Sequence, residues 1–272
     1  MARDFTKNTA NYMDLGTDAL NALFSGATDL SIHAWINADT FTTVNTDRNR
    51  ILSQKITGTN SNGLALFISG QAAPKVGLQG RSQTADAIQR VIGATEVTTG
   101  AWHSVGGVLD IDGDNIRIYL DGVQDTSTAV TFGATSYTTG TAPTAGDMMG
   151  GQEDPPSTAE LQFDGRIGEV AIWTTDIGTV GFEQLNDGFS PLFVRPDALV
   201  AYWPLIGNFS PETDIISAKN GTITGTIAKA AHPRIIYPTS FQDRRFTTAA
   251  AAAGGKTDWP KFQRQGFWNW EF

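Results

Sequence analysis

The residues most able to do chemistry are crowded into one stretch, "AWHSVGGVLDIDGDNIRIYLDGVQDTS", residues 101–127. Asp110, Asp112, Asp114, Asp121 and Asp125 could supply hard oxygen ligands to a cation. Trp102 and His103 could line an active site, with the imidazole as general base. A calcium site, however, needs 6–8 oxygens converging on one point. Here the acids fall at turn positions between two apolar runs. Asp112-Gly113 and Asp121-Gly122 are Asp-Gly pairs, and such pairs make tight turns because both residues tolerate a left-handed backbone. The acidic run therefore reads as hairpin chemistry, with no metal site expected.

The other chemical signatures are missing. The three histidines, His33, His103 and His232, sit in no metal-ligand or nucleophile motif. No Gly-x-Ser-x-Gly and no phosphate-binding Gly-Lys loop occurs. Glycoside hydrolysis needs two facing carboxylates, and no paired-acid pattern is present; Glu153-Asp154-Pro155-Pro156 reads as a proline-locked loop tip. The expectation is a non-enzymatic protein with no cofactor.

The elements that must position these residues are strands. Leu30, Ile32, Ala34 and Ile36 alternate with Ser31, His33 and Trp35, the period-2 pattern of a strand. Strand-like runs recur at 50–56, 63–70, 75–80, 102–110, 116–122, 160–175 and 199–207, with Gly, Asn and Thr clusters between them. "SNG" at 61–63 reads as a hairpin turn. In the returning strand, Ile116, Ile118 and Leu120 face one way, and Arg117 and Tyr119 the other. A short helix is expected only around 180–187. Many short strands at this spacing predict an all-β, two-sheet antiparallel sandwich.

Bulk properties agree. The chain has 272 residues, a net charge of −9 and no cysteine. Disulfides and thiolate sites are thereby excluded, and a nucleic-acid backbone is a poor partner for an acidic surface. No run approaches the ~20 apolar residues of a membrane span. The N-terminus has no apolar signal segment, so synthesis in a cytoplasm without secretion is expected.

From about residue 231 the composition changes. A five-alanine run and a Gly-Gly pair read as a linker. Trp259, Phe262, Phe267, Trp268, Trp270 and Phe272 follow, six large aromatics in 14 residues. Such a density must bury against something, and Arg244, Arg245, Lys261 and Arg264 nearby complete the composition of an assembly interface. The expected division is a sandwich over 1–230 and an extended anchoring tail over 231–272.

In order, "LSIHAWINADTF", "RILSQK", "GLALFISGQ", "AWHSVGGVLDIDGDNIRIYLDGV", "FDGRIGEVAIW" and "LVAYWPLIG" resemble the concanavalin A-like, laminin-G-like (pentraxin-like) jelly roll, over roughly residues 4–229. The resemblance implies that Trp102 packs between the sheets, so that Trp102→Ala would cost about 3–5 kcal/mol. It also implies that the family's "G-x-I-D-E-V" aspartate, which helps to hold calcium in many members, is replaced here by Gly168, leaving Asp164 and Glu169. Jelly rolls of this kind often bind glycans, for which Trp35, Tyr119 and Tyr137 are the candidate aromatics, although burial is the commoner fate of an aromatic on a sandwich strand. Arg-rich aromatic extensions of this sort resemble those of tailed-phage virion proteins. The leading expectation is thus a virion structural or decoration protein, held to other virion proteins or identical subunits through Arg244, Arg245, Trp259, Phe262, Phe267, Trp268, Trp270 and Phe272. The alternative is a lectin-like module for a cell-surface or environmental glycan.

Overall fold

A computed structural model describes residues 2–7, 11–17, 19–42, 49–54, 63–82, 87–137, 146–151, 162–207 and 209–238. In chain order the strands are β1 (Ala2–Phe5), β2 (Tyr12–Thr17), β3 (Asp29–Thr40), β4 (Arg50–Ser53), β5 (Ala65–Ile68), β6 (Lys75–Ser82), β7 (Ala87–Glu96) and β8 (His103–Asp110). They continue with β9 (Asn115–Leu120), β10 (Val123–Ala129), β11 (Gly146–Met149), β12 (Asp164–Trp173), β13 (Leu199–Trp203), β14 (Thr222–Thr224) and β15 (Ala228–Ala230). Among the described residues they are interrupted by the α-helices α1 (Asn21–Phe24) and α2 (Gly178–Asn186) and by a 3-10 turn at Pro191–Phe193. α2 lies where a helix was expected; α1 was not.

The strands form two sheets. One runs β10-β9-β8-β3-β12-β1-β15, with β13 also paired to β12; the other runs β14-β2-β11-β4-β5-β6-β7. All pairings between these strands are antiparallel. The expected all-β sandwich is what the chain forms. The strand alternation decides what enters the core. Leu30, Ile32, Ala34 and Ile36 of β3 join Ile116, Ile118 and Leu120 of β9 there, facing Leu66, Ile68, Val76 and Leu78 of the second sheet.

The other face of β3 is buried too. His33 is 0 % and Trp35 8 % exposed. α2 explains part of this cover, since Phe182 stacks on Tyr119 of β9 with ring centroids 4.0 Å apart. Trp35, Tyr119 and Tyr137 are therefore packing residues. Tyr137 sits edge-on to Phe24 of α1 and donates its hydroxyl to Gln54.

Met1–Ile236 make one compact unit, and Tyr237–Phe272 a second. Past residue 230 the first unit keeps its chain-to-chain bonds. The Ile236 N–H donates to Gly188 O, and the Ser190 N–H donates to Ile236 O. Of the second unit, Tyr237 and Pro238 are described. The hairpin expected at 61–63, the Glu153–Pro156 tip and the tail residues Arg244, Arg245, Trp259, Phe262, Phe267, Trp268, Trp270 and Phe272 lie wholly or largely outside the described residues.

Candidate functional site

The acids of 101–127 are tied into the hairpins. Asp110 Oδ1 accepts the Gly113 N–H at 2.7 Å, and Oδ2 meets Arg117 at 3.2 Å. Asp114 accepts the Phe132 N–H. Asp125 accepts the Ala94 and Thr95 N–H groups at 2.6 and 3.0 Å, linking β10 to the edge strand β7. One detail corrects the turn reading. In the first turn the left-handed residue is Asp114 (φ 50°), whereas Gly113 is needed because a Cβ there would overlap the Asp110 carboxylate. In the second turn Asp121 (φ 50°) and Gly122 (φ 79°) are both left-handed, the geometry of a two-residue hairpin. Among the described residues no three His, Asp or Glu side chains gather as a metal site would require.

Asp121 does more than turn the chain. Its N–H donates to Ser104 O at 2.7 Å, and its Oδ1 accepts the Ser104 N–H at 3.0 Å. That leaves Oδ2 facing His103 Nδ1 at 2.9 Å, while His103 Nε2 lies 2.9 Å from Thr98 Oγ1. Hydroxyl, imidazole and carboxylate thus form a row. The row is open to solvent at both ends: Thr98 is exposed, and the Asp121 side chain is 44 % exposed against 13 % for His103.

The loop carrying Thr98 is fixed at two points. Val97 is buried and donates to Pro74 O, and Gly100 (φ 78°) donates to Ala38 O at the end of β3. The same loop ends in Trp102. Its indole is half-buried and lies outside the core, because the strand proper begins one residue later, at His103. This corrects the expectation that Trp102 packs between the sheets.

The Gly168-Glu169 position has another occupant than a cation. β12 bulges between Gly168 and Ala171, and Glu169 takes φ 53°, a backbone state uncommon for a side chain of this size. Val170 stays in the core, and the Glu169 carboxylate is fully buried. It accepts the Tyr202 hydroxyl of the neighbouring β13 and faces His232 Nε2 at 2.8 Å. Asp164, the other acid of that motif, accepts the Lys7 N–H and the Thr40 hydroxyl.

A further group is not evident from the sequence because its paired members lie 10–17 residues apart. Arg50 of β4 pairs across to Phe67 of β5, Phe67 to Gly77 of β6, and Gln79 of β6 to Arg90 of β7. The Phe67 ring lies over Gly77, where a Cβ would overlap it. Arg50 and Arg90 place their guanidinium carbons 5.0 and 5.9 Å from the ring centroid. Only register arithmetic over four strands could have assembled this cluster.

Three comparisons bear on kinship. The sequence matches the family model of the concanavalin A-like lectin/glucanases superfamily over residues 7–177. No curated protein sequence matches. A proposed carbohydrate binding protein from Bacteroides ovatus superposes with a TM-score of 0.57 at 21 % identity, covering 86 % of this chain and 61 % of the other. A mutant of NanB sialidase from Streptococcus pneumoniae superposes at 0.51 with 13 % identity, covering 67 % and 27 %. This chain thus spans less than two thirds of either protein, and at such identities the likeness is one of fold. The jelly-roll expectation is met, and nothing in these comparisons points to a virion. With the family match covering more than half its length, the chain belongs to the concanavalin A-like lectin/glucanase superfamily.

Proposed function

We infer that this domain is a non-catalytic carbohydrate-binding module, with its site at the sandwich end formed by Thr98, His103, Asp121 and Trp102. The observation that carries the reading is the open Thr98–His103–Asp121 row on a loop that also ends in a half-buried indole. Sugars present hydroxyls that both donate and accept, together with apolar C–H faces. The row offers a carboxylate acceptor and a hydroxyl, both oriented by the imidazole between them, and the indole offers apolar area with a polar edge. The bonds at Val97, Gly100 and Ser104 hold the row in place before a ligand arrives, which lowers the cost of binding. Superfamily membership and the solved structure of a proposed carbohydrate binding protein support the same reading.

The test is an array of immobilised neutral and acidic glycans, probed with the wild type, Trp102→Ala and Asp121→Asn. The wild type is expected to retain a defined set of saccharides, and each variant to lose about tenfold or more in affinity, the scale of one charge-assisted hydrogen bond. Retention of nothing, or equal retention by all three proteins, contradicts the reading.

A second reading concerns the tail and rests on its sequence. Six large aromatics in residues 259–272 have the composition of an interface. On this reading the chain is a virion component displaying its jelly roll, with the tail joined to identical subunits or to other particle proteins. Removal of 247–272 should then convert an assembly into a monomer on a sizing column, and an unchanged elution volume would contradict it.

A further inference from the structure

Arg166 of β12 stands in the middle of a row on the outer face of its sheet. It pairs with Asn37 of β3 on one side and with Asp4 of β1 on the other, and Asp39 lies two residues along β3 from Asn37. The chain neighbours Ile36, Ala38, Ile167 and Phe5 enter the core, which turns these four side chains outward. The other arginine–carboxylate pairs among the described residues close to between 2.6 and 3.2 Å. Arg166 does not: its Nε stands 3.8 Å from Asp4 Oδ2, and its Nη2 stands 3.8 Å from Asp39 Oδ1. Both gaps exceed a hydrogen bond, so the charges are balanced while their donors and acceptors stay open. Asp39 is exposed, and Asp4 and Arg166 are half-buried. Asn37 is only 5 % exposed, yet its Oδ1 has no hydrogen-bond partner, and a buried acceptor without a donor is costly. The loop that carries Trp102 runs beside this row, since Ile36 pairs with His103 and the Gly100 N–H donates to Ala38 O.

We propose that the Asn37–Arg166–Asp4 row, with Asp39, is a second saccharide subsite that takes the vicinal diol of a neutral sugar ring. The inference rests on the carbohydrate-binding reading and adds a ligand class to it. A sugar hydroxyl donates and accepts at once. In each 3.8 Å gap one hydroxyl can accept from the guanidinium and donate to the carboxylate. Nε and Nη2 belong to one rigid planar fork, so the two bridging hydroxyls must be adjacent on the ring. An isolated hydroxyl fills one gap only. An anionic ring is disfavoured, because two carboxylates flank the one guanidinium. The Asp4 carboxyl already lies above its ordinary range, through burial first and then repulsion by Asp39, with Arg166 offsetting only part.

The probes are xylotetraose, cellotetraose and mannotetraose, each with its 2- and 3-hydroxyls free or methylated. In calorimetric titration the wild type is expected to bind at least one free form about tenfold more tightly than its methylated counterpart. Asp39→Ala, at an exposed position, should keep the wild-type melting temperature and bring that ratio below about threefold, and Arg166→Met should do the same to the ratio. Asp121→Asn, in the loop site, should weaken binding and leave the ratio near its wild-type value. Should Arg166→Met lose its fold, Asp39→Ala alone decides. Equal affinity for free and methylated forms in the wild type overturns the inference, as does an unchanged ratio in Asp39→Ala; either result leaves the site around Trp102 standing if saccharide binding still depends on Trp102. A wild type that binds no saccharide of any kind overturns both.

Discussion

His33 is fully buried on β3, bonded through Nε2 to Ser104 Oγ at 2.9 Å. Its Nδ1 has no hydrogen-bond partner, and the nearby Glu169 backbone offsets only part of the effect of burial. Burial pushes the imidazole down to about 3, so the folded protein holds it neutral. The unfolded chain protonates it below about pH 6.5. Its contribution is therefore present above that pH and is lost as the pH falls from 6.5 toward 3. The melting temperature of His33→Gln should fall less steeply than that of the wild type between about pH 7 and 4, a comparison that cancels the shared carboxylates; parallel curves would contradict this. At Gly77 an added methyl group must displace the Phe67 ring. Gly77→Ala should cost about 1–3 kcal/mol in urea unfolding. At Trp102 the half-buried indole lowers the expected cost of truncation to about 1 kcal/mol, below the 3–5 kcal/mol range of a core aromatic. The sequence showed Trp102 as an aromatic beside a strand. It could not show that the strand begins one residue later, because that depends on the pairing of Ile36 with His103.

The hairpins β8–β9 and β9–β10 were legible because every cue is local: alternating apolar residues, Asp-Gly pairs and two short turns. The Arg50–Phe67–Gly77 and Gln79–Arg90 pairs were not, since each is set by the register between separate strands. The segment 228–236 was hidden for a similar reason. The sequence reads as linker and tail from residue 231, yet β15 pairs with β1 just before that point and His232 reaches the Glu169 carboxylate from 63 residues away. Removing one partner of a buried pair strands the other, at a cost of about 3 kcal/mol. His232→Ala should therefore destabilise the domain and speed amide exchange over 228–236 and 199–203, as read by hydrogen–deuterium exchange. If exchange in those segments stays at wild-type rates, the Glu169–His232 contact does not hold them. The same contact bears on calcium. A Cβ added at Gly168 would come within 3.4 Å of the His232 ring, and Glu169 is already engaged by Tyr202 and His232. Millimolar calcium should leave the melting temperature within about a degree, whereas a bound ion would raise it by mass action.

At the scale of the whole molecule, the sandwich and the sequence beyond it are separate questions. The described hydrogen bonds of the first unit run to Ile236. A protein ending at Pro238 should therefore unfold cooperatively at nearly the full-length melting temperature, and a collapse of that transition would make the tail part of the core. The sandwich itself presents a loop end with hydroxyl, imidazole, carboxylate and indole. Sugar binding at the loop end is what the proposed function requires. Chemical-shift mapping of the isotopically labelled protein, titrated with a neutral saccharide retained on the array, tests it most directly. Saturable shifts are expected to concentrate at residues 97–104 and 119–122, including the Trp102 indole N–H, and to be lost in Asp121→Asn. Saturable shifts confined to other residues, or none at all, would contradict it.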